Sequence, residues 1–133
     1  MVQLDINDRI SLAKTVMNIL DGWNVTAAEV IKVLGLPSET RTRHLDRFRQ
    51  NMPLPDHDEV ITRAQHLLGI ADALRTTYPH NAGMGPIWLR RPHRRLTNRS
   101  PLTTMTEDGL KGLRAVRAEL DCTFAWDISS SGI

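Results

Sequence analysis

The 133-residue chain has little from which to build covalent or aromatic structure. A single cysteine, Cys122, excludes an internal disulfide and any cysteine-rich zinc site, and is read as a buried structural thiol. Three tryptophans, two phenylalanines and one tyrosine bring aromatics to only 5%, so aliphatic side chains must fill most of the core. No apolar run reaches the length of a membrane span, and no basic-then-apolar leader opens the chain. A cytoplasmic protein is expected. Catalytic signatures are also missing. His57-Asp58 is a pair found in metal phosphohydrolases, but the further His and Asp ligands have no recognisable spacing. His44, His66, His80 and His93 lack partner carboxylates at metal-binding intervals. Ser100, between Arg99 and Pro101, suits a helix cap and not a nucleophile elbow. No glycine loop is built to cradle phosphate. The expectation is a protein without catalysis, metal or cofactor.

What is present is a soluble, foldable composition: 41% hydrophobic and 24% charged residues, enough apolar surface to argue against wholesale disorder. The net charge of +2 conceals an uneven distribution. Residues 1–80 carry nine Lys/Arg against ten Asp/Glu, whereas residues 81–133 carry eight against five. Arg41, Arg43, Arg47 and Arg49 also cluster within nine residues. A polyanion responds to such local patches more than to the total.

Helical periodicity runs through most of the chain. Ile10, Ala13, Val16, Met17 and Leu20 share one face of a first helix, with Asn7 or Asp8 as cap and Gly22 as stop. Thr26-Ala27-Ala28-Glu29 is a capping box opening a short second helix, in which Val30, Ile31 and Leu34 face inward and Gly35 ends the run. Ser38 is the expected N-cap of a third helix reaching about Gln50, with Leu45 and Phe48 as its core positions and Arg41 partly on their side. Met52-Pro53-Leu54-Pro55 breaks the chain. Asp56 and Glu59 form a cap-like pair before a long helix to about Thr77, and the glycines and prolines between residues 79 and 86 mark the best boundary. Ile87-Trp88-Leu89 reads as a short helix stopped by Pro92, and Ser100-Pro101 as a helix start. A final helix is expected from about Thr106 to Asp121, with Leu110, Leu113, Val116 and Leu120 inward. Cys122–Ile133 shows no clear period. The fold class is all-α, in two parts: residues 1–80 and residues 81–133.

Two helices joined by Gly35-Leu36-Pro37 have the layout of a helix-turn-helix. Its second helix must offer its first turns to the major groove while its back stays buried. Ser38, Thr40, Arg41, Arg43, His44 and Arg47 meet the chemical side of that demand, since Arg pairs bidentately with guanine or phosphate and Ser and Thr donate to phosphate. A helical hairpin with a solvated basic face is the competing reading, and Glu39 and Asp46 dilute the positive field.

The second half holds Trp88-Leu89, Pro92, Leu96, Ser100-Pro101-Leu102, Met105, Gly109 and Leu120. In this order they resemble the C-terminal half of Xre/MbcA/ParS antitoxins, over roughly residues 81–121, with the helix-turn-helix matching the Xre-like half of that family. Two positions depart from the pattern. Asn98 stands where glycine is usual, and asparagine also tolerates a left-handed backbone; His93 stands where asparagine is frequent. The resemblance implies an N-terminal Xre-like helix-turn-helix bundle, followed by a small helical toxin-binding domain. It also implies a RES-domain toxin acting on NAD as partner, operator DNA as second ligand, and a homodimer inside a larger toxin–antitoxin heteromer.

Trp88, Leu89, Leu96, Leu102 and Met105 read equally well as plain core. Arg90, Arg91, Arg94, Arg95 and Arg99 place five guanidinium groups in ten residues: a solvated face, a phosphate-binding patch or a docking surface for an acidic partner. The resemblance favours the docking surface and makes Trp88, Arg91, Arg94, Arg95 and Arg99 candidate toxin contacts. It extends that role to the tail, because the family's C-terminal region reaches into the toxin's active site. Trp126 as an anchor, a small-residue end and the Ile133 carboxylate suit such a plug; a frayed terminus is the bland alternative. A stand-alone helix-turn-helix regulator and a scaffold without DNA binding are the competing functional classes.

Overall fold

The computed structural model describes the backbone of residues 4–131 and the side chains of residues 4–122. Within them are seven α-helices and one 3-10 turn: α1 (Ile6–Gly22), α2 (Ala27–Leu34), α3 (Thr42–Gln50), α4 (Asp58–Thr77), α5 (Met84–Arg90), the turn Arg94–Leu96, α6 (Pro101–Asp108) and α7 (Leu110–Ser131). No strand occurs among the described residues; the extended pairing amounts to one bridge, His93 with Arg99. The all-α class is as the periodicity implies. The chain divides into two compact units, residues 1–68 and 69–133.

In the first unit, α1 buries Leu12, Ala13, Val16, Met17 and Leu20, the 3.6-residue stripe expected of a half-buried helix. Its cap is Asp5, whose carboxylate accepts from the Asp8 amide at 2.8 Å, and not Asn7 or Asp8, which lie within the helix. The capping box of α2 forms as read: the Glu29 amide donates to Thr26 Oγ1 at 3.2 Å and the Thr26 amide to Glu29 Oε1 at 2.9 Å. Gly35 ends α2 at φ +72°. Arg63 reaches from α4 to lie over Gly35 and donates to the Lys32 carbonyl at 3.1 Å, satisfying a carbonyl that the helix end leaves unpaired. α3 packs on α1 through the fully buried Leu45 and Phe48. Arg49 reinforces that contact with two 2.8 Å bonds to the Asp21 carboxylate.

α3 starts later than its sequence suggests. Ser38 is not its cap: both the amide and the hydroxyl of Thr40 bond the Pro37 carbonyl, at 3.0 and 2.6 Å. This closes residues 37–40 into a turn of their own. The N-cap position falls to Arg41, which makes no side-chain cap bond and is exposed. The Asp56–Glu59 pair does not form either, for Glu59 turns to Arg63 at 3.2 Å.

In the second unit, Ile70, Ala71 and Leu74 of α4 are buried, as are Trp88 and Leu89 of α5, Leu102 and Met105 of α6, and Leu113, Val116 and Leu120 of α7. Ser100 caps α6, accepting from the Thr103 amide at 3.1 Å, with Pro101 in the first turn. The single late helix expected from Thr106 is instead two. Gly109, at φ 63° and ψ −133°, breaks them apart in a conformation open essentially to glycine alone, and Leu110 is consequently only half-buried. α6 and α7 then meet closely, for a Cβ on Gly112 would overlap the Thr104 carbonyl. Two further expectations fail. Cys122 is exposed, because it lies just past Leu120 on the outward side. α7 also continues to Ser131, since nothing between Cys122 and Ser131 is a helix breaker.

Candidate functional site

The turn after α2 and the first turns of α3 enclose an open groove of about 420 Å³. Its floor is Leu36, Pro37, Phe48 and Pro55, and its rim is Glu39, Thr40, Arg41, Arg43, His44 and Arg47. Five of the six residues read as DNA-contacting therefore converge on one concave surface; Ser38 stays outside it. His44 is half-buried, its ring edge-on to Phe48 with centroids 5.3 Å apart. Arg41, Arg43 and Arg47 are exposed, and none pairs with a carboxylate among the described residues. Arg49, the fourth cation of the cluster, is committed to Asp21 and Asp46. The hydrogen bonds from Arg49, with its positive charge, hold the Asp21 carboxyl below the usual carboxylate range. The span from Gly35 to Arg41 is longer than the three to four residues of a compact helix-turn-helix. Ser38 and Thr40 consequently sit on a turn and not at a helix N-terminus, and the Thr40 hydroxyl is already used.

The arginine segment of the second unit is a closed loop. The His93 amide donates to the Arg99 carbonyl at 3.0 Å, and the Asn98 amide to the His93 carbonyl at 2.9 Å. Thr97 and Asn98 sit side by side at φ 61° and 60°. Asparagine in the usual glycine position thus keeps the left-handed turn, while the β-branched Thr97 in the same region is strained.

The five arginines of this loop part company. Arg99 grips the end of α6, with Nη2 2.7 Å from Asp108 Oδ2 and Nη1 3.2 Å from Glu107. Its hydrogen bonds, followed by charge, lower the Asp108 carboxyl and raise the Arg99 guanidinium. Arg95 stands 3.8 Å from Glu119, which also meets His93 Nδ1 at 3.3 Å. Arg90 folds back toward the Pro86 carbonyl at 3.4 Å. Arg91 and Arg94 are exposed and have no carboxylate partner among the described residues. Trp88 is buried at 3% exposure, its ring tilted against His93 with centroids 4.8 Å apart.

Sequence reasoning missed the acidic partners Glu107, Asp108 and Glu119, and it missed Ile87, 48% exposed on α5. A helical projection through Trp88 and Leu89 would have put Ile87 outside. The side chain of Trp126 and the whole of Ile133 lie outside the described residues. No group of three or more His, Cys, Asp or Glu side chains among the described residues is arranged to hold a metal. No helix among them is long and apolar enough to cross a membrane.

The second unit thus combines a buried Trp-Leu pair, a closed basic loop and a Ser-Pro-capped helix. Residues 73–123 match the family model for the antitoxin Xre/MbcA/ParS C-terminal toxin-binding domain. Over that stretch the chain is similar to the toxin-binding domain of Xre/MbcA/ParS-type antitoxins. No curated protein matches the chain.

Proposed function

We propose that this protein neutralises a RES-domain toxin, one that consumes NAD or transfers from it, by covering the toxin's active site. It also represses its own operon through residues 26–50. The observation that supports the first half is the match of residues 73–123 to a toxin-binding domain model. The tail after Cys122, which holds Trp126, supplies the occluding segment. The second half is supported by the groove, where Arg41, Arg43 and Arg47 stand around an apolar floor. Duplex DNA offers phosphates for such cations and base edges for an arginine fork. Residues 1–80 act as the DNA-binding part and residues 81–133 as the toxin-binding part of a homodimer within the heteromer. The protein itself performs no catalysis.

The test is co-expression with the product of the adjacent reading frame, affinity purification and an assay of NAD depletion. Full-length protein is compared with a chain cut after Cys122. A complex that protects NAD only when the tail is present supports both toxin and plug. Protection without the tail keeps the antitoxin but removes the plug. No complex, combined with tight operator binding by the protein alone, would favour a stand-alone helix-turn-helix regulator.

A further inference from the structure

The toxin-binding match spans 51 residues but does not say which face does the binding. α5 buries Gly85, Trp88 and Leu89. At roughly 100° per residue, Ile87 falls almost opposite the middle of that buried set. Arg90 follows it by three positions and Arg91 by four, so the two flank it on the outward face. Arg91 still belongs to that spiral, because its amide donates to the Trp88 carbonyl at 3.3 Å. Among the described residues of this unit, Ile87 is the one exposed large apolar side chain.

We propose that the outward face of α5, Ile87 between Arg90 and Arg91, is the primary contact with the toxin, and that it docks into an aliphatic recess rimmed by Asp and Glu. The proposal rests on the domain's reading as toxin-binding and adds the site and the partner's chemistry. Two observations select an acidic protein over a nucleic acid. An isoleucine at the centre of the face needs an apolar hollow, which a phosphate backbone does not present. The flanking cations are arginines, whose weak hydration and planar fork suit protein interfaces. Arg91 is exposed and has no carboxylate partner among the described residues, which leaves a cation beside Ile87 for a carboxylate of the partner. Trp88 supports this face from below and does not touch the partner.

The experiment measures the affinity of the full-length protein for the co-purified product of the adjacent reading frame, at low and high salt, by biolayer interferometry. Ile87→Asp is expected to weaken binding by at least about 30-fold, as for a central hot spot. Arg91→Glu is expected to weaken it about 10-fold or more and to flatten its salt dependence. Lys111→Glu, an exposed charge change on α7, should leave affinity unchanged. Melting temperatures of all variants confirm folding, since each altered side chain is exposed. If wild type binds and Ile87→Asp binds equally well, the face is wrong and the antitoxin reading stands. A wild-type protein that fails to bind overturns that reading as well. Equal losses with Lys111→Glu, or losses seen on operator DNA instead of toxin, also overturn the proposal.

Discussion

Gly112→Ala inverts the usual effect of replacing glycine inside a helix. Alanine ordinarily stabilises such a position by about 0.5–1 kcal/mol, through helix propensity and a less flexible unfolded chain. Here the new methyl would overlap the Thr104 carbonyl oxygen, lying 2.9 Å from its carbonyl carbon and 3.1 Å from Asp108 Cβ. The obstacle is the backbone of α6, which cannot swing aside like a side chain. Relief therefore requires the two helices to separate, which loosens Leu102 and Met105 against Leu113 and Val116. Overpacking of this kind costs about 1–3 kcal/mol, so a net loss of about 1–2 kcal/mol remains after the propensity gain. For a unit of this size that corresponds to a fall in Tm of roughly 5–15 °C. Thermal unfolding followed by circular dichroism would measure it. Gly22→Ala is the internal control, because nothing lies within 4 Å of its added Cβ and its melting temperature should hold or rise. A Gly112→Ala protein as stable as wild type would refute the close approach of α6 and α7.

Arg43→Ala and Arg47→Ala should each weaken operator binding and reduce the slope of log K against log salt by about one for each phosphate no longer neutralised; titrations unchanged in both respects would remove α3 from the interface. The Asp21–Arg49 pair gives an acid-side signature. Its carboxyl is lowered in the folded state, so its stabilisation is complete above the ordinary carboxylate range and is lost as pH falls through the lowered value. Urea midpoints measured down the acid range should fall less steeply for Asp21→Asn than for wild type, and parallel curves would contradict the pairing. Thr97→Gly should stabilise the second unit by about 1 kcal/mol, because it removes a β-branched side chain from the left-handed region; a lower urea midpoint would show that the Thr97 side chain contributes more than its strain costs.

The apolar stripes of α1, α2 and α7 were legible because each helix buries one face, and burial imposes a 3.6-residue rhythm on composition. Thr26/Glu29 and Ser100-Pro101 were legible because caps are local, needing only neighbours three residues apart. The misreadings arose where two local rules compete. Ser38 is a good cap by type, yet Pro37 offers its carbonyl to Thr40 and the turn takes precedence. Gly109 looked like one glycine inside a long apolar pattern, and only the α6–α7 packing shows why the chain must reverse there. At the candidate sites the cations were visible, but their availability was not. Which arginines are spent on Asp108, Glu119 or Asp21 depends on tertiary neighbours 9, 24 or 28 positions away, beyond any local pattern. Ile87 was hidden for the opposite reason, since an apolar residue beside Trp88 and Leu89 is assumed to join them.

The closed loop from His93 to Arg99 has a kinetic meaning. Five backbone hydrogen bonds within seven residues hold Arg94 and Arg95 on a frame that is set before any partner arrives. Surfaces of this kind lose little conformational freedom on contact, so less of the interaction energy goes into ordering the chain. Encounter then needs no rearrangement, and differences between related complexes appear mainly in how long they last.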